Sequence, residues 1–310
     1  MMPFPGLRHR RDLQSLVYLV VQPLLAAWQW VFGFSPWLFG VLLVLAVGIS
    51  VIHHNHAHLP MWRSRTMNRA MDLWLTLVQG HPTFAFLPAH NGNHHRYRHG
   101  PRDIARTYRF GGDTNHALGY LLHPLQAIGV VYPMLWAWLR QRPPRLWRWY
   151  LAQYGVWLAS WAWLLWLDPV RALLFVIGPQ LFGLHWLLAA NYLQHAHADG
   201  HSRWNYARNF TGAINRVWFN IGFHTAHHEY PRAHWSMLPA LHRKVESNID
   251  PRLIEASLAR YLLQVFVLAP FVPRWRSRSL MSHVAVAAEA HPHVCMPATI
   301  EESRESRATR

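Results

Sequence analysis

The chain has 310 residues, 52% of them hydrophobic and only 14% charged, with 18 Trp, 24 His and a formal charge of +16. Charged residues make up about 25% of an ordinary soluble domain, so this composition excludes one. Cys295 is the single cysteine, which excludes disulfides, thiolate metal sites and an internal iron–sulfur cluster.

The apolar residues are gathered into blocks. Residues 16–32 form the first, with Pro23 inside it, and Arg8, Arg10 and Arg11 stand before it. Cationic residues stay on the cytoplasmic side of a membrane, so the N-terminus is expected there. Further apolar blocks follow and no cleavage pattern does, so a signal peptide is not expected. Residues 36–52 then return, and Trp28, Trp30 and Trp37 bracket the turn as interfacial indoles do. Each block is long enough to cross a ~30 Å hydrocarbon layer as a helix. Residues 60–116 are mixed and rich in Arg and His, which suits a cytosolic cap.

Residues 118–139 are apolar, but Pro124 and Pro133 interrupt them and Arg140, Arg142, Arg145 and Arg148 come after. Were this block to cross, His195 would emerge on the face opposite His94. It is therefore expected to lie in the membrane without crossing. Residues 147–167 cross outward, Asp168-Pro169 turns, and residues 170–190 return, delivering His195 and His197 to the cytosolic face. Trp161, Trp163 and Trp166 read as interfacial anchors. Residues 252–270 suit the membrane surface. The expected fold is an all-α integral membrane protein of about four transmembrane helices, one embedded non-crossing helix and a cytosolic histidine-rich helical cap. It occupies residues 1–272, with a disordered C-terminal tail over 273–310.

Histidine recurs in clusters with a fixed grammar. His54 and His58 read H-x-x-x-H; His90, His94 and His95 read H-x-x-x-H-H; His224, His227 and His228 read H-x-x-H-H; His195 closes Asn191-Tyr-Leu-Gln-His195. On a helix, residues i and i+4 share a face, so His54 with His58 and His90 with His94 can each grip one metal. His95 points ~100° away, so its cluster can address two metals at once, and the 224–228 cluster does the same with i, i+3 spacing. Neutral imidazole is the commonest metal ligand, and these nine suit two irons with open positions better than one zinc. His53 and His56 are alternatives to His54 and His58, or donors to them. His99, His116, His123 and His185 fit no cluster and read as structural, and His291 and His293 beside Cys295 are not expected to bind metal.

This succession resembles the three histidine boxes of the integral-membrane fatty acid desaturase superfamily, over residues 16–249. That superfamily also contains acyl hydroxylases, alkane monooxygenases and an alkene-forming fatty acid decarboxylase. Asn191-Tyr192-Leu193-Gln194-His195 resembles the Asn-Tyr-Leu-Glu-His segment of the alkane enzymes, in which the histidine is an iron ligand; Gln194 and Ala196 depart from it. The resemblance implies a di-iron centre in the cytosolic cap, with molecular oxygen as co-substrate. It implies a fatty acyl chain entering from the bilayer as substrate, and fatty acid desaturation as the leading reaction. Hydroxylation and oxidative decarboxylation to a terminal alkene are alternatives at the same site. The soluble type of di-iron bundle is not expected, since its Glu-x-x-His pairs are missing.

Other residues suggest roles beside the metals. Arg96, Arg98 and Arg102 could hold a substrate carboxylate or face lipid headgroups or a redox partner. Asp103, Asp113, Asp199 and Glu229 each stand close to a cluster and could orient an imidazole or form surface ion pairs. With no cysteine cluster and no haem domain in the chain, electrons must come from a separate ferredoxin, rubredoxin or cytochrome. Membrane lipid is a partner and nucleic acid is not, since the arginines flank apolar segments. A bacterial inner membrane with the site facing the cytoplasm is the expected location. A non-catalytic metal-binding or transport protein is the remaining class; it predicts ionisable residues along the spans, where only His185 clearly lies.

Overall fold

The computed structural model describes residues 6–109 and 113–281. Six long helices dominate it: α1 (Asp12–Phe32), α2 (Pro36–His58), α3 (Arg65–Gln79), α4 (Ala117–Arg140), α5 (Pro144–Leu167) and α6 (Pro169–His195). Local chemistry sets their ends. Pro36 and Pro144 open α2 and α5, where a missing N–H costs nothing. The Asp168 carboxylate caps α6 by accepting the Arg171 N–H at 2.9 Å. Gly80 closes α3 in the left-handed conformation at φ 70°.

Four of these helices are long and apolar enough to cross a membrane: α1, α2, α4 and α6. They are not the four expected from the sequence. α4, expected to be embedded without crossing, belongs to the set, and its two prolines leave it one continuous helix. α5 matches α4 in length but falls outside the set, because its indoles, phenols and early arginines give it an interfacial rather than a hydrocarbon-like composition. The outer faces are apolar nonetheless: Leu24, Val31, Leu125, Trp166 and Val170 are all exposed. A protein surface of that kind is covered by lipid.

The bundle is organised on α2 and α6, which pack along one another; α1 flanks α2, and α4 lies against α6. Close approach of the central pair depends on Gly183. A Cβ there would sit 2.6 Å from the Ala46 carbonyl oxygen and 2.9 Å from Ser50 Oγ. Gly183→Leu is therefore expected to force α2 and α6 apart at a cost of ~1–3 kcal/mol. The check is a lowered unfolding midpoint in detergent.

The inner ends of the helices are closed by irregular chain. Leu19, Ile49, Ile52 and Leu75 form one buried cluster with Phe219 and Trp235 from the 209–249 region. Strands β1 (Asn209–Phe210) and β2 (Ile254–Glu255) pair in parallel and tie the last segment to that region. Residues 273–281, expected to be disordered, are held in place: Ser277 N–H donates to Asn115 Oδ1 at 2.7 Å and Leu280 N–H to the His197 carbonyl at 2.9 Å. His291, His293 and Cys295 lie outside the described residues.

Candidate metal centre

All nine clustered histidines converge at the inner ends of α2 and α6, in two groups. His54, His58, His90, His95 and His227 form the first; His94, His195, His224 and His228 form the second. Within each group the ligand atoms lie within 4.8 Å of one another. α2 supplies His54 and His58 from its last turn, α6 ends on His195, and α7 (His224–Glu229) carries the last three.

The partition differs from the expected pairing at two places. His90 and His94, expected to share a metal, fall in different groups, and His90 shares with His95. The cause is local: Leu87–His94 is π-helical, and the His95 N–H reaches back to the His90 carbonyl, five residues away. In that winding the backbone pairs i with i+5 instead of i with i+4, which brings the His95 ring round to within 4.7 Å of the His90 ring. On α7 the i, i+4 pair His224 and His228 stays together, while His227 turns to the first group.

The contacts between rings suit metal coordination. His90 Nε2 lies 2.8 Å from His54 Nε2 and 3.1 Å from His95 Nε2; His224 Nε2 lies 2.9 Å from His195 Nε2 and 3.1 Å from His228 Nε2. A nitrogen with one proton or one lone pair cannot satisfy two such neighbours. Adjacent ligands about 2.1 Å from one ion at right angles stand about 3.0 Å apart. Further, Nε2 of His58, His94 and His227 is buried with no hydrogen-bond partner. Groups left in that state cost free energy unless something binds them. The site therefore fits a pair of metal ions held by imidazole.

Protonation agrees. Burial first, and neighbouring imidazoles second, push His90, His95, His224, His227 and His228 well below the ordinary histidine value, so they are neutral ligands. Two tautomers are set from behind. His94 Nδ1 meets Asp103 Oδ2 at 2.7 Å, and His195 Nδ1 donates to the Tyr206 carbonyl at 2.8 Å, which turns each Nε2 towards its group. Asp103 is fully buried and also accepts the N–H of His99 (2.8 Å) and of Ala105 (2.8 Å). Burial alone would raise its carboxyl, but His94 and these donors outweigh that and hold it below the usual range.

The remaining candidates do other work. His53 meets Gln79 Oε1 at 2.6 Å, and His56 accepts the Met61 N–H and faces Asp72; neither joins a group. His99 stacks on His195, and His116 precedes the first turn of α4. His185 lies on α6, partly buried. Asp199 closes a turn on the His201 N–H. Glu229 orients no imidazole; it pairs with Arg98, takes two bonds from Arg203 (2.7 and 2.9 Å) and accepts from Tyr206 (3.1 Å). That network joins the second cluster to the last. Arg96 and Arg102 lie over the Tyr97 ring.

Asp113 accepts the His197 N–H at 2.6 Å, and burial raises its carboxyl to about 6. A raised carboxyl binds its proton more tightly folded than unfolded. Stability on this account declines as pH rises from about 4 to about 6. Asp113→Asn is expected to flatten that decline, read as the melting temperature of the purified protein across this window.

An apolar cavity opens between α4 and α6. Ile128, Leu135, Leu184 and Leu187 line its walls, and it ends on His54, His90, His94 and His224, members of both groups. The sequence carried no sign of it, because its walls come from helices far apart in the chain. Nor could it reveal the Tyr206 carbonyl behind His195, since every residue has one.

A family model described as Fatty acid desaturase matches residues 27–258, a stretch that contains all nine histidines. No curated protein and no solved structure matches the chain.

Proposed function

Since this chain belongs to the fatty acid desaturase family, we propose that it is a membrane-bound di-iron oxidoreductase that desaturates a fatty acyl chain. One observation carries the reading: the apolar cavity between α4 and α6 ends on members of both histidine groups. The nine histidines would hold two irons. When bound, that centre supplies oxygen activation, which an unactivated C–H bond requires. In the balanced reaction, one dioxygen becomes two waters. Two electrons and two protons leave adjacent carbons, and two electrons from a separate donor and two protons from solvent complete it.

The protein's own residues do the positioning. The walls of α4 and α6 take methylene groups and exclude water, so an acyl chain entering from the bilayer reaches the histidines without crossing solvent. Asp103 and the Tyr206 carbonyl keep the second group's Nε2 atoms directed inward. No arginine lines the cavity among the described residues, and Arg98 is engaged by Glu229. That supports a substrate carboxylate or thioester held away from the metals, as desaturation needs, over decarboxylation beside them. Arg8, Arg10 and Arg11 before α1 support a site on the cytoplasmic side of the membrane.

The test is expression in a bacterial host with iron and an electron donor, with lipids and headspace profiled by gas chromatography–mass spectrometry. New double bonds within acyl chains support the proposal. Hydroxylated chains or terminal alkenes would keep the di-iron site and replace the reaction; no new product would sink both.

A further inference from the structure

The acyl cavity touches His54 and His90 of the first group but neither His58 nor His227. Those two are reached by a second, small pocket, whose wall includes Asn55, Pro231, His234 and Trp235. The two cavities share no lining residue. His58 itself is only half-buried. One histidine group is thus approached through lipid-facing helices by one route, and from the irregular inner layer by another.

The second route is rimmed by arginine. His234 in the pocket wall stacks on His9 at 4.1 Å, which brings the segment before α1 to its edge. Arg8 Nε donates to the Pro60 carbonyl (2.8 Å) and Arg63 Nε to the Leu7 carbonyl (3.4 Å), fixing both beside the end of α2. Arg232 stands between the wall residues Pro231 and Ala233. Arg8, Arg11, Arg63 and Arg232 are all exposed. The carboxylates closest to them in the chain are turned to other partners: Asp72, nearest to Arg63, faces His56 and accepts from Thr83. Asp12 is buried, meeting His234 Nε2 and accepting from Trp235 Nε1 at 3.1 Å each, and Glu229 is held by Arg98 and Arg203.

We propose that this arginine-rimmed pocket is the docking surface of an acidic electron-donor protein, which reduces the metal site through the imidazoles of His58 and His227. The inference rests on the di-iron reading above. A protein donor cannot use the acyl route, which is apolar and filled by substrate. It can approach the exposed edge of His58, and opposite charge both steers and orients it. Each docked donor gives up one electron and is oxidised by one; two such events per turnover supply the external pair already counted, with no covalent bond formed.

The experiment uses the full chain, iron-loaded, in phosphatidylcholine nanodiscs. The probes are an acidic plant-type [2Fe–2S] ferredoxin and an acidic b-type cytochrome domain. Binding is measured by interferometry at low and at high salt for the wild type and for Arg8→Glu/Arg63→Glu/Arg232→Glu. Arg11→Glu/Arg232→Glu serves should the triple variant fail to fold, and Arg274→Glu/Arg278→Glu is the control. One probe is expected to bind the wild type, weakening about tenfold with salt and about tenfold or more on reversal of the rim, as screened charge contacts do. The control pair should change neither. Reduction by dihydrophenazine, small and uncharged, and the single-turnover lipid oxidation that follows should match in all proteins.

Binding by neither probe, binding untouched by rim reversal, or equal loss in the control overturns the proposal. So does a rim variant that binds donor normally but loses enrichment of phosphatidylglycerol in mixed-lipid discs, which would assign the surface to anionic headgroups. No oxidised lipid with dihydrophenazine would instead overturn the di-iron reading, and the binding comparison would still decide the docking surface.

Discussion

His94→Ala is expected to reduce oxidised acyl product to background and to lower bound iron by about half. His94 belongs to a group of four, the smaller of the two, and its buried Nε2 has no hydrogen-bond partner. Removing it leaves three imidazoles and a void beside them. It also strands Asp103, a fully buried carboxylate whose strongest partner is that ring. A buried charge deprived of its partner costs several kcal/mol, so some loss of stability should accompany the loss of metal. The measurements are metal content per chain, product by mass spectrometry, and melting temperature. Full iron occupancy in the variant would mean that His94 is not a ligand.

Asp103→Asn separates orientation from ligation. The carboxylate uses both oxygens: Oδ2 takes His94 and the His99 N–H, and Oδ1 takes the Ala105 N–H. An amide has one oxygen, so it must present an NH₂ to one of these donors. Losing such a partner behind a ligating imidazole typically costs 10–100-fold in metal affinity or activity. We expect a loss in that range, with His94 retained and iron recoverable at high concentration. Asp103→Glu, which restores two oxygens on a longer arm, should recover part of it. A variant with normal metal affinity and normal product yield would reduce Asp103 to a packing residue.

How much of this was legible differs from element to element. α2 was read from 36–52 as a span whose end carries His54 and His58, and the structure extends it as one helix through His58. Composition suffices there, because a run of apolar residues has little choice but a helix in or beside lipid. Asp103 was one of four carboxylates with equal claims; the turn that brings it under His94 singles it out, and sequence distance could not. Arg98 was read as a substrate anchor or a group facing headgroups or a redox partner, and Glu229 as an orienting group or a member of a surface ion pair, with no link between the two. They neutralise each other across 131 residues.

The sequence by itself determined that this is a helical membrane protein and singled out nine histidines as candidate metal ligands. Both follow from residue type, since apolar blocks must avoid water and imidazoles one helical turn apart fall near one another. Which metal group each histidine joins was decided only by tertiary structure. The π-helical winding at Leu87–His94 moves the pairing from His94 to His95, and residue spacing carries no record of that extra residue per turn. The acyl cavity and the arginine-rimmed pocket were decided in the same way. Each is built from segments far apart in the chain, and such contacts are properties of the fold rather than of any local stretch of chain.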